Sequence, residues 1–225
     1  MTINVLTLFP EMFDALKHSV TGRAFDGEIV NFRAVNIRDY SKNKHFKCDD
    51  YPYGGGAGMV MTPQPIFDAV QAVDSEHSCR RIYLSPKGGT LTAAKAKELS
   101  ACGDLLFLCG HYEGVDQRAI DLCVDEELSV GDYVLTGGEL AAMVTIDALM
   151  RFVPGVLGSE QSAVDESFSS SSLEYPQYTR PRVFEGLKVP EVLVSGHHEN
   201  VEKWRREQSR KITALRRPDL IKNET

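Results

Sequence analysis

Leu105–Cys109 reads Leu-Leu-Phe-Leu-Cys, an unbroken apolar run between Asp104 and Gly110. A run this short is a strand, and with no polar side chain to turn toward water it must be covered on both faces, as a central strand of a parallel sheet is. The surrounding pattern agrees. Ile3–Phe9 alternates with period two and is followed by Pro10 and the helically spaced Met12, Phe13 and Leu16. Ile29–Ile37 alternates again, then polar Arg38–Asp50 leads to Gly54, Gly55, Gly56 and Gly58, a long functional loop. Thr62 is placed to cap a helix with Pro63 at its first position and an apolar stripe of Ile66, Phe67, Ala69, Val70 and Val73. Arg81–Ser85 is a strand, Thr92 caps a helix to about Cys102, and Val124–Leu128 is a further strand. Gly131–Gly138 is a loop, and Glu139–Phe152 a helix with Leu140, Met143, Val144, Ile146 and Leu149 on its apolar side. Strands alternating with helices predict an α/β domain with a mostly parallel sheet, ending near Pro154 and Gly155.

Between Ser159 and Ser172 stand seven serines and three acids with almost no large apolar side chain. Such a segment cannot offset the entropy of its own ordering, and a mobile linker is expected. Beyond it, Asn200–Leu215 carries Val201, Trp204, Ile212 and Leu215 at roughly helical spacing, next to Lys203, Arg205, Arg206, Arg210, Lys211, Arg216 and Arg217. The whole chain has a net charge of -7, so this basic face is local and indiscriminate coating of nucleic acid is excluded. The 225 residues suffice for one large core or two unequal domains. Five cysteines with no C-x-x-C pair fit reduced thiols rather than disulfides or structural zinc, and no metal site is expected. With neither a long apolar segment nor a secretory leader at the start, the expected setting is the cytoplasm, with no membrane partner.

Three glycine-bearing loops follow strands or open helices: Ser85–Gly89, Gly110–Gly114 and Val130–Glu139. Each alone is a turn or a helix cap; together, at the carboxyl ends of parallel strands, they would line one crevice for a nucleotide-like ligand. The common nucleotide and hydrolase signatures are absent, including the P-loop, the dinucleotide fingerprint, the nucleophile elbow and H-E-x-x-H.

In order along the chain stand Leu6–Phe13 (LTLFPEMF), Asn36–Tyr40 (NIRDY), Tyr51–Met59 (YPYGGGAGM), Gly110–Gly114 (GHYEG), Ser129–Leu135 (SVGDYVL), Arg151–Gly158 (RFVPGVLG) and Tyr178–Pro181 (YTRP). This ordered set resembles the bacterial tRNA (guanine-N1)-methyltransferase (TrmD) family of the SPOUT class, and the resemblance covers nearly the whole chain. It implies an α/β methyltransferase domain over residues 1–158 whose backbone forms a deep trefoil knot, a linker over 159–173, and a small helical, basic tRNA-binding domain over 174–225. It also implies a homodimer that uses S-adenosylmethionine to methylate N1 of the guanosine at tRNA position 37, next to the anticodon. Mg2+ stays open as an accessory ion.

By the same resemblance the methyl donor is held by Tyr83, Leu84, Ser85, Pro86 and Gly88, by Gly110, Tyr112 and Glu113, and by Ser129, Val130, Gly131, Tyr133, Leu135, Gly137 and Gly138. Guanine N1 carries a proton at neutral pH, so its methylation needs a base for that proton and a cation for the charge that gathers on O6. Arg151 stands where the family has its catalytic arginine; on its own it is also a cation suited to a helix C-terminus. The family's base is an aspartate before Ser-Phe, and the matching residue in Asp165-Glu166-Ser167-Phe168 is Glu166, with Asp165 as rival. Two further departures are Gln177, where relatives have His, and Ala141, where they often have Pro; the chain also stops soon after Leu220, which implies an abbreviated terminal domain. Tyr40, Lys42, Lys44, His45 and Lys47, with the basic C-terminal set, suit phosphate contacts along a folded RNA. Trp204 is open to two readings, stacking on a base or packing in a core, and His197 and His198 read as capping or packing residues. A noncatalytic RNA-binding protein and a nucleotide-binding metabolic enzyme are the rival functions; the first leaves the glycine loops unexplained, the second the basic tail.

Overall fold

The computed structural model describes residues 1–158, 167–168 and 172–221, so Asp165 and Glu166 lie outside the described residues. The chain clusters into two units, Met1–Gly158 and Ser159–Thr225. In the first, β1 (Thr2–Thr7) leads through a 3-10 helix (Pro10–Lys17) into α1 (Ser19–Asp26) and β2 (Asn31–Asn36). A short pair, β3 (Asp49–Asp50) and β4 (Val60–Met61), precedes α2 (Pro63–Val73), β5 (Arg80–Thr90) and α3 (Ala93–Ser100). Then follow β6 (Leu105–Cys109), α4 (Gln117–Cys123), β7 (Glu126–Ser129) and α5 (Glu139–Met150). The sheet is five-stranded in the order β2-β1-β6-β5-β7, parallel throughout.

Why Leu105–Cys109 has no polar position is visible in the two cores. Leu105, Phe107 and Cys109 join Ile3, Val5, Ile82 and Leu84 against Ala24 of α1, Leu99 of α3 and Ile146 and Leu149 of α5. Leu106 and Leu108 join Leu6, Val35 and Tyr83 against Ile66 and Val70 of α2 and Ala119 and Cys123 of α4. Every side chain of β6 is buried, so the strand lies between two helical layers.

Several elements differ from the periodicity reading. The segment after Pro10 is a 3-10 helix rather than an α-helix, and α1 follows it, joined through Thr21, whose hydroxyl donates to Leu16 O at 2.7 Å. β5 does not stop at Ser85. It continues to Thr90, with an irregularity in which Leu84 and Gly89 both register with Leu128 and residues 85–88 stand out between them. The buried face of α5 is Ala141, Ala142, Thr145, Ile146, Leu149 and Met150, whereas Leu140 and Val144 are 47% and 53% exposed. Small Ala141 and Ala142 let the first turn of the helix lie close to the sheet, while Ile146, Leu149 and Met150 fill the core farther along it. Thr92 caps α3 by accepting from Lys95 N–H at 3.1 Å, while Thr62 occupies the cap position of α2 without a side-chain bond.

In the second unit the hairpin of β8 (Val183–Phe184) and β9 (Leu187–Lys188) turns on Glu185 and Gly186, both with positive φ, as a two-residue hairpin turn requires. A 3-10 turn (Glu191–Val194) leads to α6 (His198–Arg216) and the short α7 (Pro218–Ile221). Leu173, in the expected linker, is bonded to α6 at both backbone groups: its N–H donates to Thr213 Oγ1 at 2.9 Å and its O accepts from Ser209 Oγ at 2.6 Å. Trp204 is half-buried beside Tyr178, ring centroids 6.2 Å apart, which favours packing over a free stacking surface. Leu215, expected in the apolar stripe of α6, is 81% exposed because the buried turn of that helix is centred on Thr213. His197 sits at the N-cap position without a capping side-chain bond.

The start of β5 is fixed by a buried ion pair. Arg81 Nε donates to Asp74 Oδ2 at 2.8 Å and Arg81 Nη2 to the Asp74 carbonyl, while Asp74 Oδ1 also accepts from Ser78 N–H at 2.7 Å. Burial pushes the Asp74 carboxyl up, but the Arg81 guanidinium and the Ser78 and Cys79 amides outweigh it and hold the group below the usual carboxylate range. Asp74→Ala leaves a buried guanidinium unpaired and is expected to cost about 3–5 kcal/mol at neutral pH, read by urea denaturation followed by circular dichroism. The sign in pH follows from the lowered value. The stabilisation is complete above the unfolded value of about 3.9 and is lost as pH falls through the folded one, so wild type and variant should converge only in strong acid.

Candidate methyl-donor site

Because β5, β6 and β7 are adjacent and parallel, the loops that leave their carboxyl ends meet at one edge of the sheet. Backbone hydrogen bonds join them. Gly138 N–H donates to Gly110 O at 2.8 Å, His111 and Gly137 form an antiparallel bridge, and Leu91 N–H donates to Ser129 O at 2.7 Å. A fourth loop, absent from the expected donor-binding set, joins the same edge: Glu113 N–H donates to Met59 O at 3.0 Å and Met61 N–H to Gly114 O at 2.9 Å. The Gly54–Gly58 cluster is thereby tied to Gly110–Gly114.

Of the donor-binding residues expected from the sequence, Tyr83, Leu84, Ser85, Gly110, Ser129 and Gly138 are buried. Pro86, Tyr112, Glu113, Tyr133 and Leu135 are exposed, while Gly88, Val130, Gly131 and Gly137 are half-buried. The buried set makes a floor and the exposed set a rim. Ser129 organises part of it: its hydroxyl accepts from Gly131 N–H at 3.2 Å and donates to Gly131 O at 3.0 Å, and Tyr133 OH reaches Val130 O at 3.2 Å. Tyr112 has φ 58°, a left-handed conformation costly for an aromatic residue, of the kind that concentrates where a loop is shaped for a ligand.

The floor is chemically quiet. Burial, with the charge of Glu127, pushes the Tyr83 phenol up to about 12, and a hydrogen bond with the Val115 backbone offsets only part of this. Burial and then the nearby Glu139 charge push the Cys109 thiol well above its usual value, so no thiolate nucleophile is available there. This floor can enclose a flat apolar body and present backbone groups to its polar edge, which suits an adenosine. Arg151 is the C-cap residue that follows α5, and it is exposed. Among the described residues no group of three or more His, Cys, Asp and Glu side chains could hold a metal ion.

Thr7, His111 and Glu139 also meet here and were not singled out by motif reading. Glu139 is 1% exposed, and its Oε1 accepts from Thr7 Oγ1 at 2.8 Å across 132 residues of sequence. Nothing in spacing marks such a pair; only the facts that Thr7 ends β1 and Glu139 opens α5 bring them together.

A family model described as tRNA (guanine-1)-methyltransferase TrmD matches residues 1–223. A protein of Clostridium perfringens named tRNA (guanine-N(1)-)-methyltransferase is 61% identical over 221 residues, 98% of this chain and 93% of that protein. Proteins with the same name from Clostridium novyi and Alkaliphilus metalliredigens are each 56% identical, over 225 and 227 residues, covering 100% and 99% of this chain and 93% and 92% of their own.

Two neighbouring glycines separate packing from mere loop character. A Cβ at Gly88 would run into the Glu127 carbonyl and the Leu128 nitrogen of β7, whereas one at Gly89 meets nothing within 4 Å. Gly88→Ala must push β5 and β7 apart and is expected to destabilise by about 1–3 kcal/mol. Gly89→Ala should stay within about 0.5 kcal/mol of wild type, both read by thermal denaturation.

Proposed function

Since the chain belongs to the tRNA (guanine-1)-methyltransferase TrmD family, we propose that it transfers the methyl group of S-adenosylmethionine to N1 of the guanosine at tRNA position 37. The products are 1-methylguanosine and S-adenosylhomocysteine. The observation that carries this reading is the joining of the Gly110–Gly114 and Val130–Gly138 loops through the Gly138 N–H to Gly110 O bond, beside the shaped Tyr112 turn. A Cβ at Gly138 would lie 2.8 Å from Cys109 Cα, so the second loop reaches this closeness only with glycine.

In this reading Tyr83, Leu84, Ser85, Pro86 and Gly88, with Gly110, Tyr112, Glu113 and Ser129, Val130, Gly131, Tyr133, Leu135, Gly137 and Gly138, enclose the adenosyl part of the donor. Bound there, S-adenosylmethionine supplies an electrophilic methyl carbon on a sulfonium. Glu166, with Asp165 as the rival, takes the proton of guanine N1, so that the N1–H bond breaks as the new N1–methyl bond forms. Arg151 steadies the negative charge that would otherwise gather on O6. The buried floor contributes no competing nucleophile, consistent with the raised Cys109 and Tyr83.

The finer features of the family come with the same proposal. Residues 83–88, 110–113 and 129–138 hold the donor within a trefoil knot, residues 174–225 hold the tRNA, and two copies pair with their sites between them in the cytoplasm. Leu140 and Val144, one turn apart on α5 and both exposed, support the pairing, since such a stripe is costly to leave in water. No helix among the described residues is long and apolar enough to cross a membrane.

The test uses labelled S-adenosylmethionine and an unmodified tRNA with G at positions 36 and 37, with and without Mg2+, and maps the methyl by nuclease digestion. Label in 1-methylguanosine at position 37 is expected; binding of tRNA without transfer would leave a noncatalytic RNA-binding protein. Glu166→Gln should lower transfer by about 100- to 10,000-fold with donor affinity nearly unchanged. Full activity of that variant would move the role to Asp165.

A further inference from the structure

Glu139 is a buried carboxyl group at the candidate site that the methyl-transfer reading does not use. Glu139, in the first turn of α5, lies among three carboxyl-end segments of the sheet: Thr7 at the end of β1, His111 after β6 and Gly137 after β7. On one side the geometry is complete. The Thr7 hydroxyl accepts from Phe9 N–H at 2.9 Å, which directs its own proton to Glu139 Oε1 at 2.8 Å. On the other side it is not: Glu139 Oε2 lies 3.9 Å from His111 Nδ1, about 1 Å beyond an N–H···O bond.

His111 Nδ1 is itself buried and has no hydrogen-bond partner among the described residues. Its ring is held between Phe9 and Tyr112, each with its centroid 5.0 Å away. A buried polar atom left unpaired is costly, so its persistence in a ligand loop calls for a state in which it is paired. Only glycine at 137 leaves these two groups facing each other, since a Cβ there would lie 2.6 Å from His111 Nδ1 and would collide with Glu139 Oε2. The carboxylate that faces this nitrogen is Glu139. A movement of about 1 Å in the His111–Tyr112 turn closes the gap, and Tyr112 is the residue of that turn in the costly left-handed conformation.

We propose that Glu139 is a positioning residue for the donor loops. It holds Thr7 on one oxygen and His111 on the other, and the His111 contact tightens to a hydrogen bond when S-adenosylmethionine occupies the site. It touches neither the donor nor the guanine and acts through His111 and Gly137. The inference rests on the methyl-transfer reading.

The test measures S-adenosylmethionine affinity by calorimetry, tRNA KM by initial rates and the unfolding midpoint, for wild type, Glu139→Gln, Thr7→Val and Thr7→Ser. Glu139→Gln and Thr7→Val should weaken donor binding at least about tenfold, the size of a lost bond to a charged group, with tRNA KM within about twofold of wild type. Thr7→Ser, which keeps the hydroxyl, should recover the affinity that Thr7→Val loses. A second readout is the His111 imidazole in histidine-labelled protein. Its Nδ1 proton should shift downfield on donor addition in wild type and not in Glu139→Gln. Should Glu139→Gln fail to fold, equal donor affinity in Thr7→Val and Thr7→Ser overturns the proposal, as does wild-type affinity in Glu139→Gln. Failure of wild type to bind the donor at all would instead overturn the methyl-transfer reading.

Discussion

A strand that is apolar on both faces has to be sandwiched, and the arrangement of the first unit follows from burying β6. Leu105, Phe107 and Cys109 require one helical layer, Leu106 and Leu108 the other, and β1 and β5 must flank the strand to pair its backbone. With all strands parallel, the loops after β5, β6 and β7 then leave on one side of the sheet. The candidate site is the place where burial stops, and its floor is made of residues, Tyr83, Leu84 and Cys109, that also belong to the cores. Core and candidate site thus share these side chains.

Much of this was legible in the residues. The unbroken Leu105–Cys109 run, the alternation in Ile3–Phe9 and the Thr92 cap lead to elements found within a few residues of their expected places. What periodicity could not show has identifiable causes. Spacing put Leu140, Val144, Ile146 and Leu149 inside; Ile146 and Leu149 are buried, but the first turns of α5 meet the core through Ala141, Ala142 and Thr145 instead of Leu140 and Val144. Ser85–Gly89 reads as a loop because Pro and Gly punctuate chains, yet Gly89 and Thr90 return to pair with β7. Leu215 looked apolar enough to pack, yet near the end of α6 two small hydroxyl residues, Ser209 and Thr213, hold the neighbouring chain by bonding the Leu173 backbone.

The site divides in the same way. The loops that converge were readable as glycine clusters, and their ordered motifs resembled a family that the whole chain matches. Glu139 and Thr7 were not, because neither residue type nor interval marks a pair separated by 132 positions; only the parallel sheet makes them neighbours. The same holds for the Met59–Glu113 contact, which brings the Gly54–Gly58 cluster to the donor loops. Motifs announce what touches a ligand, and topology decides what braces it.

The excursion in β5 has a consequence for how such a chain can vary. Leu84 and Gly89 share one partner, Leu128, so the peptide between them is a detour that begins and ends at the same rung of the ladder. Change at Pro86 and Lys87, the exposed part of the detour, leaves the pairing of every strand in register, while Gly88 stays pressed against β7. Descendants of this fold thus have a place where the outline of a bound molecule can be re-tailored while the architecture beneath is inherited intact.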